Sequence, residues 1–278
     1  MTAVLCTLNE EENIQGVIES VFQNGVTRVI LVDAGSADAT VARAKELGVE
    51  CHVVPRNGLA YQRQFGVDLV STDCVCLVDA DNRLERDCLQ KLMRYLRDSE
   101  FVGVAAQKIS AGGEDYWSRA LTWNNQQALY TLGEKLVVGT PAIYYTDVLR
   151  TVRYDTAITG SSDDTDLCYR LSKLGKKVGV GPGVCRELMR NTFAGFAKKL
   201  LWYGRGDAEF FLRHPEKRWT IAVHPLKNYV IKGQFRALMR GRPDMMPYFA
   251  ISGFIRTFGF WRGLLEIGLF QRARIYKT

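Results

Sequence analysis

The run Leu77-Val78-Asp79-Ala80-Asp81-Asn82 sets two carboxylates at i and i+2 immediately after an apolar stretch. A strand ending in this way presents both acids on one face, and their mutual repulsion is relieved by a bridging cation. Mg²⁺ or Mn²⁺, hard ions that share oxygen ligands with phosphates, suits such a position. An ordinary strand-end turn, in which Asp and Asn bond the backbone, fits these residues equally well. A second acidic strand end is Val32-Asp33-Ala34-Gly35-Ser36-Ala37-Asp38. Asp33 there is a candidate acceptor for a nucleobase or ribose, and Gly35 permits close backbone approach. The plainer alternative is a turn with Ser36 capping the next helix. The third cluster is Ser161-Ser162-Asp163-Asp164-Thr165-Asp166-Leu167-Cys168-Tyr169-Arg170. Ser162 and the acids are good helix-start chemistry, and Asp166 and Arg170 form an i,i+4 pair. Three aspartates in four residues exceed what capping requires, and a carboxylate at the mouth of a site can serve as general base.

Alternating strand and helix signals position these acids. Short apolar runs at 3–6, 29–32, 49–54 and 75–78 read as strands. Between the first two, Asn9 reads as an N-cap, followed by an apolar face of Ile14, Val17, Ile18, Val21 and Phe22. Ser36 caps a helix ending near Gly48, and another helix covers about 60–70. Strands separated by helices imply right-handed crossovers and a parallel sheet, with ligands beyond the carboxyl ends of the strands. Farther on, 101–109 and 136–138 read as strands, 116–131 as a helix, and a helix starts near Ser162 and stops at Gly175. After Gly183 the pattern reads as helical and basic to the end.

The 278 residues carry a net charge of +7, divided as −5 over residues 1–185 and +12 over 186–278. An acidic front and a basic rear suggest two jobs, one with an anionic partner. Seven cysteines (Cys6, Cys51, Cys74, Cys76, Cys88, Cys168 and Cys185) include no CxxC pair, which points to a reducing compartment rather than a zinc or disulfide framework. The N-terminus has no basic segment and is acidic by Glu10, so it does not read as a signal peptide. No run reaches the roughly 18 apolar residues of a spanning helix. These features predict a cytoplasmic protein, peripheral on the cytoplasmic face of the membrane. No GxGxxG follows a strand, which disfavours a dinucleotide-binding dehydrogenase.

In order along the chain, TLNEEENI, VDAGSADAT, RNGLAYQRQFG, VDADN, VVGTPAIYY and SSDDTDLCYRL resemble the motif series of family 2 glycosyltransferases with the GT-A fold. The resemblance covers residues 7–171 and implies a Rossmann-like α/β domain over 1–215, its mostly parallel central sheet flanked by helices. A basic, amphipathic helical extension over 216–278 follows. By the same resemblance, Thr7, Leu8, Asn9, Glu10 and Asp33 hold the nucleoside. Asp79 and Asp81 form the DxD pair around Mn²⁺ or Mg²⁺, with Asp81 the direct ligand and Ala80 between them on the donor side. Arg56, Gly58 and Arg63 lie along the donor path. Gly139, Thr140 and Asp163 border the acceptor. Asp163-Asp164 replaces the family's usual Glu-Asp pair, which makes Asp164 the base of an inverting displacement. By the resemblance Arg205 reaches the diphosphate from across the site, with a solvated helix face as the alternative. Two departures bear on base and donor preference: Cys6 and Leu8 stand where proline and tyrosine are frequent, and Ala34 where many members carry a second aspartate. A UDP-sugar is the favoured donor and a GDP-sugar the other candidate.

From Asn191 onward, basic residues interleave with aromatics. Phe254, Phe258, Trp261, Leu265 and Leu269 recur at near-helical spacing among Arg256, Arg262, Arg272, Arg274 and Lys277. Such a helix suits an anionic membrane interface, with packing on the catalytic domain as the alternative. The pattern lacks the stacking platform of a nucleic-acid binder, so no nucleic acid is expected. His214 is a candidate metal ligand but reads better as structural, and Arg205-Gly206-Asp207 as a chance tripeptide. The reading is a metal-dependent hexosyltransferase that takes a nucleotide-sugar donor to a membrane-associated, lipid-linked glycan. A polyprenyl-phosphate sugar synthase is the close variant. Nucleotidyl transfer is disfavoured by the acidic loop after the first strand, and a non-catalytic module leaves the acidic clusters unexplained.

Overall fold

Among the described residues the apolar runs join a nine-stranded sheet in which Thr2–Thr7, Arg28–Asp33 and Cys74–Asp79 are buried on both faces, while Glu50–Val53 lies at the edge with Val53 64% exposed. The computed structural model describes residues 1–55, 58–111, 115–188 and 192–275. Strands and helices first alternate: β1 (Thr2–Thr7), α1 (Ile14–Gln23), β2 (Arg28–Asp33), α2 (Thr40–Glu46), β3 (Glu50–Val53), α3 (Leu59–Leu69) and β4 (Cys74–Asp79). Then follow β5 (Asn82–Leu84), α4 (Cys88–Arg97), β6 (Phe101–Ala111), α5 (Tyr116–Asn124), β7 (Gly133–Lys135), β8 (Ala142–Tyr145), α6 (Thr146–Val152), α7 (Asp163–Lys173) and β9 (Lys177–Leu188). The strand order is β3-β2-β1-β4-β8-β6-β9-β5, with β7 paired to β9. The first four strands are parallel, while β8 runs antiparallel to both β4 and β6.

Side-chain alternation along these strands feeds two cores. Ala3, Leu5, Leu31, Cys76 and Val78 face α1 and α4, and Val4, Cys6, Ile30, Val32 and Leu77 face α3 and α7. Because the chain winds outward from β1 to β3 and returns to β4 on the other side of β1, the order reverses between β1 and β4. A cleft forms at such a switch point, beyond the strands' carboxyl ends.

Four local expectations are corrected. Helix α2 begins at Thr40, not beside Ser36, whose hydroxyl instead accepts from the Asn9 amide and donates to Asp33. Asn9 is likewise no helix cap: α1 begins at Ile14, and the Asn9 side chain accepts from the Ala37 amide, so the two loops hold each other. Residues 136–138 form no strand; Leu136 is 87% exposed and the strands lie on either side. The stretch after Gly183 continues as β9 to Leu188, and helix resumes only at Phe193. The glycines there are required by packing, not by a turn. A Cβ on Gly181 would lie 2.8 Å from Leu92, and one on Gly183 2.6 Å from the Cys88 carbonyl, both on α4.

A second unit comprises the chain beyond 190 with Asp115–Ala120 and Gly160–Ser162. Its helices are α8 (Phe193–Arg213), α9 (Arg218–Pro225), a π-helical stretch Leu226–Gly233, α10 (Gln234–Met239) and α11 (Met246–Ile275). The expected boundary at 215 falls after α8, whereas α8 clusters with α11. Glycines let the two helices meet: a Cβ on Gly204 would lie 2.3 Å from the Arg256 carbonyl, and one on Gly259 2.7 Å from that of Leu201. Asp207 accepts from Arg256 Nε and Nη2 at 2.6 and 2.8 Å, and Arg256 Nη1 donates to the Tyr229 hydroxyl at 3.2 Å. The Arg-Gly-Asp tripeptide is thus absorbed into helix packing. Asp207→Ala strands a nearly buried guanidinium, and is expected to cost about 3–5 kcal/mol, read as a lower denaturation midpoint. Among the described residues no helix is long and apolar enough to cross a membrane.

Candidate active site

Asp79 ends β4, with Cys6 of β1 as its register partner. Its carboxylate is held from two sides: Arg63 Nη2 donates to Oδ1 at 2.9 Å, and the Thr140 hydroxyl donates to Oδ2. The same guanidinium reaches across to the start of α7. Arg63 Nη1 donates to Asp163 Oδ2 and to Asp164 Oδ1, each at 2.6 Å. One cation therefore ties the strand-end carboxylate to the helix-start pair. Arg63 is only 2% exposed, so its guanidinium is a buried brace among these acids.

Gly58 makes this reach possible. Its φ of 91° suits glycine, and a Cβ would stand 2.8 Å from the Thr159 Cα. The start of α3 is thereby pressed against the segment that leads into α7. Tyr154, absent from the sequence candidates, adds its ring 5.9 Å from the Arg63 guanidinium, and its hydroxyl approaches Asp164 at 3.5 Å. Helix α7 itself favours acids in its first turn through its unpaired amides and dipole.

The three carboxylates do not share one electrostatic state. Burial works to raise Asp79, but Arg63, Lys108 and the Thr140 hydroxyl overcome it and hold it below the usual range. At Asp163 and Asp164 burial wins over the Arg63 charge, and both are raised. Asp163 is essentially sealed at 3% side-chain exposure, while Asp164 is 21% exposed. Asp164 is therefore the carboxylate of the pair that solvent reaches, with its basicity enhanced. Gly139 lies against it: a Cβ there would come 3.6 Å from Asp164 Oδ2. Thr140, expected beside the acceptor, is 2% exposed and spends its hydroxyl on Asp79.

Asp81 follows at the strand end. Its carbonyl accepts from the Leu188 amide at 2.7 Å, and its carboxylate accepts from the Asn82 side chain. Lys108 and Glu187, 3.6 Å apart and each 9% exposed, form a buried ion pair in β6 and β9, and the Asp81 charge helps hold the lysine protonated. Sequence reasoning missed both; the available signal was a lysine inside the apolar run FVGVAAQKI. Among the described residues no three His, Cys, Asp or Glu side chains converge as a metal cage. A two-carboxylate set fits Mg²⁺ or Mn²⁺, ions that complete their shells with water and substrate phosphates. It does not fit a closed structural site.

The first two loops are firmly built. Asp33 is fully buried and accepts from the Thr7 hydroxyl, the Gly35 and Ser36 amides and the Ser36 hydroxyl. Those four donors use the acceptor capacity of a carboxylate, so binding a base or ribose there requires that one be displaced. Gln62, also unforeseen, donates to the Thr7 and Val32 carbonyls and joins α3 to both strand ends. The Glu10 amide donates to the Thr40 hydroxyl at 2.8 Å. Leu8 is half-buried and Asn9 exposed, whereas Ala80 is buried in the core at 4% exposure. Arg56 lies outside the described residues.

Two candidates belong to the helical unit. Arg205 sits on α8 with Nη1 3.6 Å from Glu209 and Nε 3.8 Å from Glu266. His214 packs against Phe210 with ring centroids 4.4 Å apart at a 42° tilt and faces Glu216 at 3.9 Å, an ordinary structural setting.

Known proteins share this fold. The mannosyltransferase PcManGT from Pyrobaculum calidifontis, solved with GDP-Man and Mn²⁺, superposes with a TM-score of 0.61 at 15% identity, over 92% of this chain and 86% of that one. The fold is shared: a GT-A α/β domain with a helical C-terminal region. The pre-mycofactocin glycosyltransferase of Mycobacterium tuberculosis is 26% identical over 211 residues, 70% of this chain and 45% of that protein. An uncharacterized glycosyltransferase of Rickettsia felis is 38% identical over 96 residues, 34% of this chain and 33% of that protein. The chain thus spans between a third and a half of these two relatives' lengths. The model of glycosyl transferase family 2 matches residues 2–157, more than half of the 278. The chain belongs to glycosyl transferase family 2.

Proposed function

We propose that this glycosyltransferase uses a divalent cation and a nucleoside-diphosphate sugar, and transfers the sugar with inversion to a hydroxyl of a membrane-associated, lipid-linked glycan. The observation that carries the reading is the Arg63 brace, which holds a strand-end carboxylate and a solvent-reached carboxylate on one guanidinium. In-line displacement requires that arrangement, with the leaving group neutralised on one side and a proton acceptor on the other. Asp81 would hold the cation, with Asp79, already engaged by Arg63 and Thr140, in support. Mn²⁺ or Mg²⁺ bound there supplies charge neutralisation to the departing diphosphate. Asp164 takes the proton of the attacking hydroxyl, and Gly139, lacking a side chain, leaves the acceptor room beside it. Thr7, Leu8, Asn9 and Glu10 frame the nucleoside pocket around the Asp33 turn. Arg205 is proposed to approach the diphosphate, which would require it to leave Glu209 and Glu266. A UDP-sugar is the favoured donor, with a GDP-sugar as the other candidate. The enzyme is proposed to act peripherally at the cytoplasmic face of a membrane, a reading supported by the basic rear of the chain.

The test is thermal stabilisation by UDP and by GDP, each with and without Mn²⁺ or Mg²⁺. A ligand at a hundred times its Kd adds about 2.7 kcal/mol to the stability of the native state. The expected result is a shift with one nucleotide that needs the metal and disappears in Asp81→Asn. A shift of equal size without metal would overturn the metal assignment, and no shift with either nucleotide would overturn the donor class.

A further inference from the structure

The helical unit exposes large apolar side chains that its own packing does not use. On α11, Phe254, Phe258, Trp261 and Leu265 are 58–69% exposed and recur at helical spacing, opposite the buried Phe249, Ser252 and Phe260. A second stripe, not evident in the sequence, runs along 218–239: Trp219 is 85% exposed, and Ile231, Phe235, Leu238 and Met239 are 60–68% exposed. The two helical segments lie against each other, since a Cβ on Gly233 would meet Phe249 and one on Gly253 would meet Val230. Exposed apolar area on this scale marks an interaction surface.

Charge decides the partner. Residues 218–239 include Arg218, Lys227, Lys232 and Arg236 and no acid. A second copy of the chain would bring like charge against like charge, whereas an anionic lipid surface meets the arginines and lysines and admits the rings. Exposed tryptophans on both segments suit the headgroup layer, where one edge of the indole stays wet.

We propose that the helical unit docks on an anionic bilayer through these two stripes, Trp219 and Trp261 entering the headgroup region and Lys227 and Lys232 pairing with lipid phosphates. This rests on the reading of a membrane-associated acceptor and names the surface that would bring the enzyme to it. The docking itself needs neither donor nor catalysis, so the two fail separately.

The experiment is co-sedimentation of the full chain with vesicles of phosphatidylcholine alone or with phosphatidylglycerol, alongside tryptophan emission and sedimentation velocity without lipid. Binding is expected only with phosphatidylglycerol, accompanied by a blue shift. It should weaken but persist at roughly 1 M NaCl, where the Debye length falls to about 3 Å. Trp219→Ser and Trp261→Ser should each weaken partition about tenfold. Lys227→Glu with Lys232→Glu should abolish the lipid preference. All four side chains are on the surface, so the melting temperature and the nucleotide-induced shift should stay unchanged. No binding to either vesicle, or equal binding to both, overturns the proposal. A dimer in solution that the tryptophan substitutions dissolve also overturns it, because the face would then be covered by a second copy. In each of these cases a metal-dependent nucleotide shift would leave the glycosyl-transfer reading standing.

Discussion

Arg63→Ala is expected to produce the largest combined loss of stability and activity of any substitution in the catalytic unit. The guanidinium is 2% exposed and holds Asp79, Asp163 and Asp164 at 2.6–2.9 Å. Removing it leaves buried carboxylates without their counter-charge, and breaking such a pair costs about 3–5 kcal/mol. The sign of the pH dependence follows. With the cation gone, burial carries Asp163 and Asp164 further above their unfolded values and Asp79 loses the main charge that held it low, so the folded state binds more protons than the unfolded state. The destabilisation is therefore greatest at neutral to alkaline pH and shrinks as the pH falls toward the unfolded carboxylate value of about 4. Melting temperatures of the wild type and variant, taken without metal at pH 8 and at pH 5, should differ less at pH 5. A gap that widens on acidification would mean that Arg63 does not compensate these acids. Arg63→Lys separates charge from geometry. An ammonium restores much of the stability, but it is a point charge on a flexible stem and does not reproduce the planar fork that spans the three acids. Turnover should stay at least about tenfold down, because a small displacement of a catalytic group is costly.

Asp164→Asn should lower kcat by about 10²–10⁴, the usual contribution of a positioned general base. Asparagine keeps an oxygen toward Arg63, so folding and the nucleotide-dependent shift should survive. Loss in kcat and kcat/KM together, with nucleotide affinity intact, identifies an interaction made in the transition state. The same measurement separates the two acceptor classes. A hydroxyl needs its proton removed, whereas a polyprenyl phosphate is already ionised, so a loss of less than about tenfold would move the assignment to a polyprenyl-phosphate sugar synthase. Asp163→Asn provides the contrast. Asp163 is 3% exposed and bound to Arg63, so its effect should fall on stability more than on proton transfer.

How much of this was legible in the sequence depends on what kind of interaction each residue makes. The strand ends at Asp33 and Asp79 and the helix start at Asp163 were readable because period, length and capping chemistry are local. The glycine run before Cys185 misled, because those glycines answer to α4 packed on β9, a contact between residues about ninety positions apart. Ser36 and Asn9 misled for a related reason: their polar groups had local partners available, yet the two loops satisfy each other.

The sequence by itself determined the alternating α/β framework, its buried parallel centre, the order of the acidic clusters and the basic rear. These follow from side-chain period and composition. Only the tertiary structure decided what the acids do to one another. It buried Arg63 as the cation that joins three carboxylates, gave Thr140 to Asp79, and buried Lys108 beside Glu187. It also separated Asp164, which solvent reaches, from Asp163, which it does not. Each outcome depends on which groups lose water together and on distances of a few ångströms between residues some 60 to 100 positions apart. Desolvation and Coulomb energy are set by that proximity, which a linear pattern does not contain.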